Sequence, residues 1–230
     1  MTDLFSSPTP AFIFDLDGTL IDSVYPHVIA WKQAFADFDI DVAAWRIHRR
    51  IGMSGDLFVG AIFRELNLPL DADLIDRLQH RHGDRFQEIT QEVRPFAGSR
   101  ALLTHLTKTG TPWAIATSGH IRSARHGLEM LGILDGPAPI VTRDLVRFAK
   151  PDPDLFLAAA KQLDTPITSA FVIGDAVWDM LAAVRAGALA IGLRCGGNSE
   201  HELRHAGAYR VFDDPGDLLA HLDELGVHPA

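Results

Sequence analysis

Ala11-Phe12-Ile13-Phe14-Asp15-Leu16-Asp17-Gly18-Thr19-Leu20 places four apolar residues directly ahead of two acids and a glycine turn. The apolar run is short and is bounded by Pro10 and Gly18, so it reads as a strand buried on both faces of a parallel sheet rather than as a helix. In open α/β sheets, ligands bind at the carboxyl ends of strands, and Asp15 stands at that end. A carboxylate there can act as nucleophile, metal ligand or acid–base group, and two of them one residue apart can divide those roles. Taken alone, the stretch also fits an ordinary acidic turn.

Three further segments bear on the choice. Pro112-Trp113-Ala114-Ile115-Ala116-Thr117-Ser118-Gly119 is another apolar run, ending in two hydroxyls and a glycine, with a helical pattern from about His120 to Leu131. Free backbone N–H groups at a helix start, next to a hydroxyl, form a site for a phosphate oxygen. Ser118 would serve equally as a plain helix cap. Lys150-Pro151-Asp152-Pro153-Asp154 opens a helical stretch from Leu155 to Leu163. Pro and Asp are at home in a first helical turn, but a cation just ahead of it is not, so Lys150 calls for an anionic partner. Asp15 with a bound phosphate would supply one. Ala170-Phe171-Val172-Ile173-Gly174-Asp175 is followed four residues later by Asp179. Both carboxylates then stand at one strand end and on one side of the following turn. Magnesium takes one or two such carboxylates together with waters and substrate phosphate. Asp179 alone could simply stabilise the helix start.

Four motifs in this order, on alternating strands, resemble the haloacid dehalogenase superfamily of phosphotransferases, in the group with a small helical cap that includes phosphoglycolate phosphatases and β-phosphoglucomutases. The resemblance rests on Asp15 and Asp17 in DLDGTL, Thr117 after its strand, Lys150 in KPDPDLF, and Asp175 with Asp179 in GDAVWD. It implies Asp15 as the nucleophile that forms an aspartyl-phosphate, and Asp17 as the acid for the leaving oxygen and then the base for water. It also implies that Thr117 and the backbone of Ser118 hold phosphate oxygens, with Gly18, Thr19 and Gly119 in the phosphate-binding turns, and that Lys150 orients Asp15. Magnesium would sit on Asp15, the Asp17 carbonyl and Asp175, with Asp179 supporting it directly or through water. The physics agrees: a carboxylate and a phosphate dianion repel, and a divalent cation with a lysine offsets that repulsion. An acid two residues after the nucleophile looks like a phosphomonoester enzyme rather than a dehalogenase.

The 230 residues suit one core domain with one insertion. A formal charge of −9 gives no support for nucleic acid or a membrane surface as partner. Cys195 is the sole cysteine, which precludes an internal disulfide and fits a cytoplasmic, reducing setting. It is read as incidental rather than reactive. No apolar run reaches the length of a membrane span, the N-terminus lacks a signal-peptide pattern, and residues 1–9 read as a frayed lead-in.

From about Val24 to Glu92 the pattern is helical throughout, with Val28, Trp31, Phe35 and Phe38 at three- and four-residue steps and Leu57, Ile62, Leu66, Leu74 and Leu78 continuing it. After Phe96, helices alternate with apolar strands near Trp113–Thr117, Ile140–Thr142, Phe171–Gly174, Ala188–Leu193 and Tyr209–Phe212. This predicts an α/β fold, a doubly wound parallel sheet formed by residues 1–22 and 94–230, with an inserted all-helical cap over 23–93. Caps of the resembled group close over the site and read the part of the substrate that is not phosphate.

Within the cap, His48-Arg49-Arg50-Ile51-Gly52-Met53-Ser54 is the candidate reader, with Arg49 able to grip a carboxylate or second phosphate bidentately and Ser54 adding a hydroxyl. A solvated basic helix end is the alternative. Phe58 and Phe63 are expected in the core, and His80 and His82, two apart on a helix, do not share a face and so are not expected to hold a metal. His120 is either a substrate contact or a surface histidine, and Asp22 sits at the expected hinge. Asp22 to His27, with Ala30 and Trp31, is similar to the start of the cap in sugar-phosphate phosphatases and β-phosphoglucomutase, where a histidine at the place of His27 lies near the active site. Thr19 and Gly55 depart from the mutase pattern, so the expectation is a magnesium-dependent phosphomonoester hydrolase, with a mutase as runner-up. A phosphate-accepting switch or idle binding module is the reading of another class; it would need neither Asp17 nor a cap. The substrate is expected to be a small phosphorylated metabolite, a sugar phosphate or a phosphoglycolate-like acid. Oligomeric state is not legible.

Overall fold

A computed structural model describes residues 10–227; the lead-in expected at residues 1–9 lies outside them. Six strands, β1 (Ala11–Phe14), β2 (Trp113–Ala116), β3 (Ile140–Val141), β4 (Ala170–Gly174), β5 (Leu189–Leu193) and β6 (Ala208–Phe212), form one sheet in the order β3-β2-β1-β4-β5-β6. All of its pairings are parallel. β1 therefore lies inside the sheet, where the strand order reverses, and all four of its residues are buried. That position explains why the run is apolar at every residue. Phe12 and Phe14 enter the core on one face of the sheet, and Ala11 and Ile13 enter the core on the other. β3 is shorter than its apolar run suggested and stops before Thr142, since as an edge strand it pairs with β2 alone.

Between β1 and the rest of the sheet the chain forms α1 (Val24–Ala36), α2 (Ala44–His48), α3 (Gly55–Glu65) and α4 (Ala72–Ile89). These four helices have their own hydrophobic core, which includes Trp31, Phe35, Phe58, Ile62, Phe63 and Leu78. The Asp71 side chain accepts from the Asp73 and Leu74 N–H groups and so starts α4. The insert leaves and rejoins the core through two adjacent segments. The Asp22 N–H donates to the Arg94 carbonyl at 2.8 Å, and the Phe96 N–H to the Leu20 carbonyl at 3.1 Å.

The remaining helices cover the two faces of the sheet. α5 (Ser99–Lys108), α6 (Ile121–Leu131) and α10 (Pro215–Ala220) bury Leu102, Leu128 and Leu218 against the Phe12–Phe14 face. α7 (Asp154–Gln162), α8 (Val177–Ala186) and α9 (Glu200–His205) bury Phe156, Met180 and Leu203 on the opposite face. This is the doubly wound arrangement expected from the alternating pattern. Among the described residues no helix is long and apolar enough to cross a membrane.

Candidate active site

Sheet register assembles the site. Phe14 pairs with Ile115 on one side and with Ile173 on the other, so β1, β2 and β4 end within about a residue of one another. Asp15, Thr117 and Asp175 emerge together at that edge. The loop after β3 brings in Lys150, and the first turn of α8 brings in Asp179. All five are buried, and Lys150 and Asp179 have no exposure at all.

A buried ammonium needs partners, and Lys150 has two: it donates to Asp15 Oδ1 and stands 2.8 Å from Asp179 Oδ1. The second contact is an ion pair without hydrogen-bond alignment, which leaves Asp179 Oδ1 without a hydrogen bond. Asp179 Oδ2 accepts from the Ala176 N–H at 3.0 Å, and Thr19 Oγ1 donates to Asp175 Oδ1 at 2.9 Å. Three buried carboxylates thus lie near one cation, two of them in direct contact with it. Burial pushes the Asp15 carboxyl up to about 7 against the pull of Lys150, and the charges of Asp179 and Asp17 add to the rise. Asp175 is raised well above the usual range by burial and by Asp179 and Asp15. For Lys150 the two carboxylates outweigh burial and hold the ammonium charged.

The carboxylate oxygens of Asp15, Asp175 and Asp179 can lie within 4.8 Å of one another. A set of hard oxygen donors with surplus negative charge fits magnesium. The backbone closes tightly around this cluster. A Cβ at Gly196 would fall 1.7 Å from Asp175 Oδ2, and one at Gly18, where φ is +82°, would fall 2.5 Å from the same oxygen. The loop after β5 that carries Gly196 was not singled out in the sequence, although it too follows a strand end. Neighbouring Cys195 is partly buried and its thiol donates to the Gly18 carbonyl at 3.1 Å. Burial and Asp175 raise its pKa far above the usual thiol value, which leaves it protonated and unreactive.

Asp17 has a different environment. Ser23 Oγ donates to its Oδ1 at 2.7 Å and His27 Nε2 donates to the same atom at 3.2 Å. Burial raises the Asp17 pKa, but the charge and hydrogen bond of His27, with that of Ser23, outweigh burial and leave it below the usual value. His27 Nδ1 lies 3.1 Å from His82 Nε2. His27 is stacked on Phe86, with ring centroids 3.9 Å apart, and His82 on Trp31, 4.1 Å apart. Burial, with His27 beside it, keeps His82 well below the ordinary histidine pKa and thus neutral. Ser23 and His82 were not read as site residues. The sequence excludes His80 and His82 only as a joint metal site, because two residues apart on a helix they do not share a face. They indeed do not: His80 lies beside exposed Asp76, while His82 faces inward.

A cavity of about 110 Å³ opens over these groups, lined among others by Asp15, Asp17, His27, Thr117, Ser118 and Gly119. Thr117 Oγ1 accepts from the Gly119 N–H at 3.0 Å, which shapes the turn after β2. The Ser118 hydroxyl donates to the Gly52 carbonyl at 3.1 Å, and the Ser54 N–H to the Lys150 carbonyl at 3.0 Å. The 50–54 turn is thereby fastened to the core through its backbone. Ser54 is buried and is not among the lining residues, whereas Gly52, Met53 and Gly55 are. Of the arginine pair, Arg50 lines the cavity. Arg49 turns away, with Nη2 2.5 Å from Glu202 Oε1 and Nη1 3.4 Å from Asn198 Oδ1. His120 lines the rim and pairs with Asp144 at 2.6 Å.

A carboxylate and a lysine at the end of a central parallel strand, an acidic cluster suited to a divalent cation, and a helical insert over the opening together define a phosphotransferase-type α/β enzyme. A model of the haloacid dehalogenase-like hydrolases matches residues 9–187, and the chain belongs to that family. It is 31% identical over 217 residues to an N-acetylmuramic acid 6-phosphate phosphatase of Pseudomonas aeruginosa, covering 93% of this chain and 94% of the relative. It is 30% identical over 235 residues to a phosphoglycolate phosphatase of Rhodospirillum rubrum, covering 96% of each. Among solved structures, a hydrolase from Pseudomonas syringae superposes with a TM-score of 0.92 at 48% identity, over 94% of this chain and 99% of the other.

Proposed function

We propose that this protein is a magnesium-dependent phosphomonoesterase acting on a small phosphorylated metabolite, a sugar phosphate or a short phosphorylated acid, through an aspartyl-phosphate on Asp15. The observation that carries this reading is the division of labour between two carboxylates one residue apart. Asp15 is paired with Lys150 at the floor of the cavity, and Asp17 is held at its side by Ser23 and His27. In the first step an Asp15 oxygen attacks phosphorus, the ester P–O bond breaks, and Asp17 delivers a proton to the leaving oxygen. In the second, Asp17 takes a proton from water, the oxygen of that water attacks phosphorus, and inorganic phosphate and the Asp15 carboxylate are released. Asp17 needs opposite protonation states in the two steps. Its hydrogen bonds favour the ionised form in the free site, and an incoming phosphate dianion, a like charge, favours the protonated one. Lys150 orients Asp15, while Thr117, the Ser118 backbone and the Gly18–Thr19 and Gly119 turns cradle phosphate oxygens. Magnesium held by Asp15, Asp175, Asp179 and the Asp17 carbonyl would offset the charge that gathers on the phosphoryl oxygens.

Two relatives named as phosphatases, one for a sugar acid 6-phosphate and one for phosphoglycolate, support this assignment. The test is phosphate release from a panel of hexose phosphates, phosphoglycolate and pyrophosphate, with magnesium, with chelator and with Asp15→Asn. Release that requires magnesium and disappears in the variant supports the hydrolase. A silent panel defeats it, an isomeric sugar phosphate as product points to a mutase, and a long-lived aspartyl-phosphate points to a switch.

A further inference from the structure

Two helices of the insert exchange rings. α1 carries His27 and, four residues on, Trp31; α4 carries His82 and, four residues on, Phe86. Residues at that spacing share one face of a helix. The two faces meet in a crossed arrangement. His27 lies flat on Phe86, with 7° between the rings, and His82 lies flat on Trp31, with 9° between them. Each histidine is thus held by the aromatic ring that accompanies the other. Trp31 and Phe86 are buried, so both plates of this clamp are fixed by packing.

Within the clamp the imidazoles meet edge to edge, with His27 Nδ1 3.1 Å from His82 Nε2. The other nitrogen of His27, Nε2, stands 3.2 Å from Asp17 Oδ1. A ring nitrogen donates only where it carries a hydrogen, and the partner of one nitrogen decides what the other can do. His82 takes that place for His27. A neutral imidazole can donate through Nε2 in one tautomer and accept there in the other. When His27 is neutral, His82 donates to its Nδ1 and the hydrogen of His27 is left on Nε2. When His27 is protonated, His82 accepts from Nδ1 and Nε2 still carries a hydrogen. In both states His27 offers a donor to Asp17. A half-turn of the His27 ring, which the stack on Phe86 would allow, puts carbon at both contacts and loses both hydrogen bonds.

The donor falls on one oxygen of Asp17 only. Ser23 Oγ and His27 Nε2 both donate to Oδ1. Oδ2 lies toward the turn after β2, 3.7 Å from where a Cβ on Gly119 would stand. Two hydrogen bonds fill the lone pairs of Oδ1, so a proton on the carboxyl group belongs on Oδ2. That oxygen is the one beside the turn proposed to cradle phosphate.

We propose that His82 is a positioning residue for the acid of the reaction: through His27 it keeps a donor on Asp17 Oδ1 and so directs the proton to Oδ2, from which it passes to the ester oxygen as the P–O bond breaks. This rests on the phosphatase reading and adds to it a residue that acts only through another. The experiment measures kcat/KM, which is set by the steps up to departure of the leaving group. The esters are a hexose 6-phosphate, phosphoglycolate and p-nitrophenyl phosphate, whose leaving group departs without a proton. The proteins are the wild type, His82→Phe, which keeps a ring on Trp31 but no nitrogen, and His82→Gln, which gives up the ring but supplies an amide able to donate or accept. His82→Phe is expected to lower the ratio of alkyl to aryl kcat/KM by about tenfold or more, for each alkyl ester that the wild type accepts. His82→Gln is expected to hold that ratio within about threefold of the wild type. The ratio is independent of how much enzyme is folded, so a loss of stability in either variant does not move it. An unchanged ratio in His82→Phe assigns His82 to packing alone, a ratio as low in His82→Gln as in His82→Phe removes the hydrogen bond as the cause, and a loss confined to one alkyl ester makes His82 a substrate contact. Each of these overturns the proposal and leaves the phosphatase reading intact. Absence of phosphate release from every ester in the wild type overturns both.

Discussion

The floor of the site and its roof are built on opposite terms. On the floor, Asp15, Lys150, Asp175 and Asp179 are buried and set by strand register, with Lys150 in direct contact with Asp15 and Asp179 and the three carboxylates within 4.8 Å of one another. On the roof, the insert meets the core through backbone hydrogen bonds from a turn, through the His27–Asp17 contact, through Ala30 and Phe86 packed into the core's apolar cluster, and through half-exposed ion pairs such as Arg49–Glu202. In the proposed reaction the floor has the groups that any phosphate ester would require. In that reading the roof has the groups that can differ with the alcohol. Strand register thus fixes the floor, while helix packing against a surface from remote parts of the chain fixes the roof.

The largest effect that tests this contrast is Asp15→Asn, expected to lower kcat by about 10⁴-fold or more, as removal of a covalent nucleophile does. Residual activity near the wild-type level would remove Asp15 from the chemistry. Next is Lys150→Met. Taking the cation from between Asp15 and Asp179 leaves buried carboxylates uncompensated, with an expected destabilisation of about 3–5 kcal/mol in urea denaturation under chelator.

A third test concerns pH and metal. Asp15 and Asp175 have pKa values raised in the fold, so from the ordinary 3.8 upward the unfolded chain loses their protons first. The folded state then binds more protons than the unfolded one, and the metal-free protein loses stability as pH rises from about 4 toward 7 through these two groups. Magnesium should oppose that loss. Its rise in Tm is expected to be larger at pH 7.5 than at pH 5, where the ligands must first shed protons. A metal effect independent of pH would contradict this account of the floor. The smallest effect is expected from Arg49→Ala. Its pair with Glu202 is more than a third exposed on the arginine side, so the change in stability should stay within about 0.5 kcal/mol. A loss comparable with that of Lys150→Met would show that the roof is held as firmly as the floor, and the comparison would fail.

The floor was legible in the sequence because each of its residues directly follows an apolar strand or opens a helix. Chain direction alone then puts Asp15, Thr117, Asp175 and Asp179 at one edge. Lys150 could be reasoned out through its misfit at a helix start, and its partners are Asp15 and also Asp179. The roof was less legible. Arg49 and Arg50 are neighbours at the end of one short helix, and sequence does not say which of them turns inward; Arg50 lines the cavity and Arg49 reaches Glu202. Ser54 was read for its hydroxyl, whereas it is its backbone N–H that fastens the turn to Lys150. His82 carries no local signal because its contact is with His27, 55 positions away, and Ser23 reaches Asp17 only through the fold of the six-residue turn between them.

By itself the sequence determined the alternation of strands and helices, the helical insert and the acidic ends of β1 and β4. These follow from local periodicity and from the direction in which a strand leaves a sheet. Only the tertiary structure decided which of Arg49 and Arg50 lines the cavity and that His82 backs His27. Those facts depend on how far one helix is rotated against a surface built from remote parts of the chain, and no local pattern encodes that angle.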